Sequence, residues 1–198
     1  MRLFAAVVPS PEVLEDLEEH LAPRIEASDD IRWTDPHQWH VTLAFCKEAP
    51  DRILDDLTER LTRAAGRTRP FELALLGAGA FPNPYAARVL WAGVADEAGM
   101  LRPLGGSVRN AFNKAGGPPD GTRFHPHVTL GRFARPTEAT RWIRVFDAYE
   151  SPTWRVTEID LIESHLGQGR GRRPRYEVIE RLPLAGVTAA GERRAGPA

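Results

Sequence analysis

Cysteine occurs once in 198 residues, at Cys46. No internal disulfide can form, and the chain suits a reducing compartment, the cytosol. Lysine is almost missing as well: Lys47 and Lys114 are the two lysines among 26 basic residues. That arginine bias, with 17 glycines and 17 prolines, reads as GC-rich codon usage and dilutes the meaning of any single arginine. Long apolar runs are lacking. Leu3–Val8 is too short for a signal-peptide core, and no segment approaches the roughly 20 residues of a membrane span. There is no His-Glu-x-x-His helix, cysteine cluster, glycine-rich nucleotide loop or Gly-x-Ser-x-Gly elbow, which removes the common metal, nucleotide and serine-hydrolase signatures. A net charge of −1 argues against a protein that coats nucleic acid by charge alone. A nucleic-acid partner would need a local patch, and the run containing Arg170, Arg172, Arg173 and Arg175 is one.

A hydrophobic fraction of 42% supports a packed interior. Leu3–Val8 reads as a buried strand. Ser10 and Pro11 then open a helix whose apolar face is Val13, Leu14, Leu17 and Leu21. Strands are expected at Ile31–Thr34 and Trp39–Phe45, and a helix from Asp51 with Ile53, Leu54, Leu57 and Leu61 inward. Further strands are expected at Phe71–Leu76 and Arg88–Val94, and a helix at Met100–Ala115, weakened at its start by Pro103, Gly105 and Gly106. A strand at Phe124–Phe133, a short helix at Thr137–Phe146, and strands at Thr153–Val156, Ile159–His165 and Tyr176–Leu182 complete the order. The pattern predicts an α+β fold: two pseudo-symmetric lobes, antiparallel sheets around a central cleft, helices outside. Residues 1–184 are expected to form one bilobal domain, and residues 185–198 a flexible tail.

The sequence His-Val-Thr-Leu occurs twice, at His40–Leu43 and His127–Leu130. In a strand alternate side chains share a face. His40 therefore points with Thr42, and His127 with Thr129, while the Val and Leu residues point into a core. Two such fronts facing one another would place two imidazoles and two hydroxyls around one polar site. Histidine exchanges protons near neutral pH, and a pair can serve as acid and base together. Phosphodiester cleavage needs that pairing, because water must lose a proton while an alkoxide gains one. Threonine hydroxyls can hydrogen-bond the non-bridging oxygens. The scheme calls for no metal and no cofactor.

Two His-x-Thr elements in a chain of this length resemble the 2H phosphoesterase superfamily. The surrounding sequence resembles its RNA 2′,3′-cyclic phosphodiesterases, also called 2′-5′ RNA ligases. The likeness is carried by Met1–Val7, Arg32-Trp33, Phe81-Pro82, Arg88–Val94, Phe124–Arg132, Glu163-Ser164 and Tyr176–Val178, across residues 1–184. It implies opening of a terminal 2′,3′-cyclic phosphate on RNA to a 2′-phosphate, with reversible 2′-5′ ligation as the related reaction. By motif position it implies His40 as proton donor, His127 as proton acceptor, and Thr42, Thr129 and Arg132 as substrate-binding residues. Strict alternation puts Arg132 on the Val/Leu face unless Gly131 kinks the strand. Residues 45–50 depart from the usual Phe-Leu-Gly after the first motif.

Other residues have plainer readings. His125 shares parity with His127, but Pro126 and the lack of acidic partners make it structural rather than a metal ligand. His20 and His37 read as surface residues, His165 as the end of a strand, Cys46 as a core thiol. Trp33, Phe81 and Tyr85 are candidates for base stacking or for packing. Arg170–Arg175 is a solvated hairpin tip or an RNA-tracking loop. The expected partner is RNA or an oligonucleotide with a cyclic phosphate end, bound by a cytoplasmic monomer with no membrane association. The alternatives are a relative acting on a small nucleotide, such as ADP-ribose cyclic phosphate or 2′-5′ oligoadenylate, a non-catalytic RNA-end-binding module, and a His-based metalloenzyme.

Overall fold

The computed structural model describes residues 1–26, 30–121, 123–169, 171 and 173–185. Arg170, Arg172 and the expected tail beyond residue 185 lie outside the described residues. The strands are β1 (Leu3–Val7), β2 (Ile31–Trp33), β3 (Val41–Cys46), β4 (Phe71–Phe81), β5 (Ala87–Ala95), β6 (His127–Thr137), β7 (Trp154–Val156), β8 (Glu158–His165) and β9 (Arg175–Pro183). The helices are α1 (Pro11–Glu26), α2 (Leu54–Gly66), α3 (Leu101–Ala115) and the short α4 (Thr140–Arg144).

The strands lie in the order β7-β4-β5-β6-β3-β1-β8-β9, with β2 pairing to β6, and each described pairing is antiparallel. Four strands stand on each side of the β6–β3 junction. That is the pseudo-symmetric α+β arrangement expected from the repeated tetrapeptide. The junction itself is narrow, with Val41 opposite Val128. Both Val side chains are fully buried, so the two motifs meet back to core and front to cleft.

One continuous apolar cluster backs the sheet, running from Leu3 and Leu17 through Leu43, Leu57, Leu90, Val108 and Leu130 to Leu182. Each of these large side chains, fully buried, stabilises the fold by about 1.5–3 kcal/mol relative to exposure. The helices cross between halves. Helix α3 follows β5 but packs on α2 and β3. Helix α1 follows β1, yet its Asp16 accepts a hydrogen bond from the Tyr149 hydroxyl at 2.8 Å and its His20 packs on Phe146. His20 is therefore a half-buried packing residue, not the surface residue the sequence implied. Ser10 caps α1 by accepting from the Val13 amide.

Three elements differ from expectation for identifiable reasons. Strand β4 continues five residues past Leu76. Gly77, at φ 64°, absorbs a register shift between Leu75 and Ala78, after which pairing with β5 resumes. Helix α3 forms despite Pro103 and Gly105. Pro103 sits in the first turn, where its missing N–H has no helical partner anyway, and Gly105 admits the Phe124 ring. The expected helix at Thr137–Phe146 shrinks to Thr140–Arg144 because β6 runs on to Thr137.

Both central strands carry a bulge at the same place in the repeat. Between β1 and β3, Ala5 pairs Ala44 and Ala6 pairs Thr42, leaving Leu43 extra. Between β5 and β6, Leu90 pairs Gly131 and Trp91 pairs Thr129, leaving Leu130 extra. One inserted residue reverses the inside–outside alternation beyond it. The fifth residue after each motif histidine accordingly returns to the histidine's own face: Phe45 in β3 and Arg132 in β6. Gly131 lets β2 approach β6 beside the second bulge, because a Cβ there would lie 2.4 Å from Ile31 Cγ2 and 3.2 Å from the Arg32 carbonyl oxygen on β2. Gly131→Ala is expected to lower the unfolding free energy by about 1–3 kcal/mol, measured by denaturant titration. An unchanged midpoint would show that β2 does not press on β6 there.

Candidate active site

The two bulged strands bring His40, Thr42, His127, Thr129 and Arg132 to the wall of one cleft of about 570 Å³. His40 Nδ1 lies 2.7 Å from the Gln38 carbonyl oxygen, and His127 Nδ1 lies 2.7 Å from the His125 carbonyl oxygen. A carbonyl can only accept, so each Nδ1 must carry the hydrogen. That fixes the tautomer of both rings and leaves both Nε2 atoms for proton exchange. In each case the acceptor is the residue two before the histidine.

Each imidazole is also held by an aromatic pair. His40 lies between Phe4 (centroids 4.7 Å apart) and Tyr176 (5.6 Å). His127 lies against Phe81 (5.0 Å) and Trp91 (6.0 Å). Burial against these rings disfavours the charged imidazolium. It pushes the His40 pKa down to about 4, with the bond to Gln38 opposing and the nearby His127 adding to the depression. Burial likewise lowers His127, with its carbonyl bond opposing and His125 and Arg132 contributing repulsion. Both shifts favour the neutral imidazole.

The cleft is cationic. Arg2, Arg32, Arg132 and Arg173 line it, and among the described residues no Asp or Glu does. None of the four arginines makes an ion pair among the described residues. Arg2 lies over the Phe45 ring at 5.1 Å. An anion entering here meets uncompensated positive charge and two hydroxyls. Among the described residues no group of three His, Cys, Asp or Glu is arranged to hold a metal ion.

All five residues singled out by motif thus lie on one cleft. Arg132 reaches it through the bulge, not by the alternation that would have turned it inward. Trp33 lines the cleft and packs edge-on against Trp142. Phe81 belongs to the His127 clamp. Tyr85 is 80% exposed and lies outside the cleft lining. His125 packs edge-on against Trp91, with centroids 4.8 Å apart. His165 faces Glu177 at 3.2 Å and lines a neighbouring shallow depression. Motif reading missed Arg2, Phe4, Gln38, Phe45 and the roles of Trp91 and Tyr176. Gln38 alone left a local trace, its fixed offset from His40.

The profile of the 2′-5′ RNA ligase superfamily matches residues 8–168. The chain belongs to that superfamily. An Aeropyrum pernix relative named RNA 2′,3′-cyclic phosphodiesterase is 35% identical over 152 residues, covering 75% of this chain and 85% of the relative. A Thermus thermophilus crystal structure superposes with a TM-score of 0.79 at 29% identity, over 94% of this chain and 100% of that one. Escherichia coli LigT, crystallised with 3′-AMP, gives a TM-score of 0.75 at 27% identity, over 93% of this chain and 98% of LigT. The superfamily's 2H phosphoesterase fold is therefore the fold of this chain. No helix among the described residues is long and apolar enough to cross a membrane.

The depressed His40 pKa makes a stability prediction. The unfolded chain takes up a proton on this residue near pH 6.5, whereas the folded protein resists until about pH 4. The folded state is therefore favoured above pH 6.5 and loses up to about 3 kcal/mol as pH falls from 6.5 to 4. In His40→Asn, whose amide can still donate to the Gln38 carbonyl, the decline in unfolding free energy from pH 7 to pH 4 should be smaller. Equal declines in the two proteins would contradict the depressed pKa.

Proposed function

We propose that the protein hydrolyses RNA ends bearing a 2′,3′-cyclic phosphate to 2′-phosphomonoesters, using His40 and His127 as a metal-independent acid–base pair. The observation that carries this reading is the matched tautomer lock: two imidazoles, each with Nδ1–H tied to a carbonyl, share one cleft that no carboxylate lines among the described residues. Ring opening needs a base on one side of phosphorus and an acid on the other, and two neutral histidines of which one is charged by a proton satisfy that need. The relatives' shared name supplies the substrate class.

In the reaction, the His127 Nε2 takes a proton from water as the water oxygen attacks phosphorus. The bond from phosphorus to the 3′ oxygen breaks, and the His40 Nε2–H supplies that oxygen's proton. The product is a 2′-phosphate beside a free 3′-hydroxyl. The histidines return to their starting states by exchanging one proton with solvent. The hydroxyls of Thr42 and Thr129 and the Arg132 guanidinium hold the non-bridging oxygens, where charge is greatest in the transition state. A 5′-hydroxyl in place of water gives 2′-5′ ligation by the same bond changes.

Turnover of a cyclic-phosphate oligonucleotide is expected to persist in EDTA, with the phosphate found on the 2′ oxygen. His40→Ala and His127→Ala should each lose about 10²–10⁴-fold in kcat, while Thr42→Ala or Thr129→Ala should cost about 2–4 kcal/mol in barrier. Full activity in His40→Ala, or abolition by chelator, would sink the mechanism.

The pH profile is a separate check. The donor must be protonated, yet burial holds free His40 near 4. The bell for kcat/KM, which reports the free enzyme, should therefore peak below pH 6.5. A bound phosphate anion stabilises imidazolium and raises both pKa values, so the kcat profile should lie to the alkaline side of the kcat/KM profile. A kcat/KM that still climbs above pH 7 would contradict the assignment of His40 as donor.

A further inference from the structure

The Gln38 backbone carbonyl receives the His40 Nδ1–H at 2.7 Å. Its side-chain Nε2–H donates to the Pro174 carbonyl oxygen at 2.6 Å, 136 residues away in sequence. One residue thus grips the imidazole on one side and the connection between β8 and β9 on the other. That connection, Leu166–Pro174, places Leu166, Arg173 and Pro174 on the cleft wall beside Gln38 and His40. Within it the Gly169 amide donates to the Arg173 carbonyl at 2.8 Å, and a Cβ on Gly169 would fall 2.8 Å from that oxygen. Gly167 and Gly171 both adopt positive φ, where backbone freedom is greatest in the unfolded chain and an external tether has most to hold.

The position equivalent to Gln38 in the second motif is His125. Its carbonyl does the same work for His127, but its ring packs edge-on against Trp91 and Phe81. The backbone role is therefore shared by both halves, and the side-chain role belongs to the His40 half alone. A cyclic phosphate carries one negative charge, and Arg132 already stands on the His127 strand. Arg173 joins Arg2 and Arg32 as a further cation of the cleft wall, and nothing in β9 itself aims it there, since the strand begins only at Arg175.

We propose that Gln38 is a positioning residue that tethers the β8–β9 connection to the His40 turn, so that Arg173 is held over the substrate anion and governs affinity for it. This rests on the hydrolytic reading above. The tether acts on substrate binding, because the bond His40 needs comes from a backbone carbonyl that a side-chain change leaves in place.

The test uses the full chain with Gln38→Met, which keeps shape but removes the donor, together with Arg173→Gln and the double variant. For a cyclic-phosphate oligonucleotide, Gln38→Met should raise KM about tenfold with kcat within about twofold, the size of one lost hydrogen bond. If Gln38 works through Arg173, the double variant has the same KM as Arg173→Gln alone. Additive effects on KM, or a kcat loss with KM unchanged, would overturn the proposal. Hydrogen–deuterium exchange supplies a readout independent of turnover: the Gly169 amide should exchange faster in Gln38→Met, while amides of β3 hold their rates. Unchanged exchange at Gly169 would equally overturn the tether. Wild-type protein without turnover would defeat the hydrolytic reading, and the exchange comparison would still decide whether Gln38 holds the connection.

Discussion

The site exists because two strands from opposite halves of the chain touch at Val41 and Val128. That buried contact sets the distance and facing of everything in front of it. The carbonyls of Gln38 and His125 lie just before the contact, the hydroxyls of Thr42 and Thr129 just after it, and a bulge follows in each strand. The pseudo-symmetric pair of imidazoles is thus a consequence of one backbone arrangement used twice. The apolar cluster behind the sheet holds this junction against the cost of ordering it.

The two halves differ beyond the bulges. The fifth residue after one histidine is Phe45, capped by Arg2, and after the other it is Arg132. Phe45 packs with the small apolar cluster of Phe4, Ala6 and Ile162, whereas Arg132 sets a guanidinium in the cleft wall. In the proposed mechanism, the low pKa that burial gives His40 between Phe4 and Tyr176 suits its imidazolium to deliver a proton to a departing alkoxide. In that mechanism the arriving phosphate anion raises the pKa and so loads the proton.

Much of this was legible in the chain. The period-2 pairing of His40 with Thr42 and of His127 with Thr129 held, as did the apolar backs and the order of strands and helices. The bulges did not show in sequence, because Leu43 and Leu130 look like ordinary inward residues, and only pairing with β1 and β5 reveals them as extra. For that one reason alternation gives no sign of Phe45 and turns Arg132 inward, although the family resemblance assigns Arg132 to the substrate. The aromatic clamps come from strands distant in sequence, so Phe4, Trp91 and Tyr176 carried no local mark. Strand β4 runs past the expected end at Leu76 because tertiary pairing with β5 accommodates Gly77 in a bulge and Gly79 in a close approach under Trp91.

The central claim is that both imidazoles are held as Nδ1–H tautomers with Nε2 bare toward a common anion. Long-range nitrogen–proton NMR on 15N-labelled protein at pH 7 reads this directly. The account predicts protonated Nδ1 and unprotonated Nε2 in both His40 and His127, with both Nε2 signals shifting when inorganic phosphate is added. An Nε2–H tautomer in either ring, or a phosphate response confined to one of them, would contradict it.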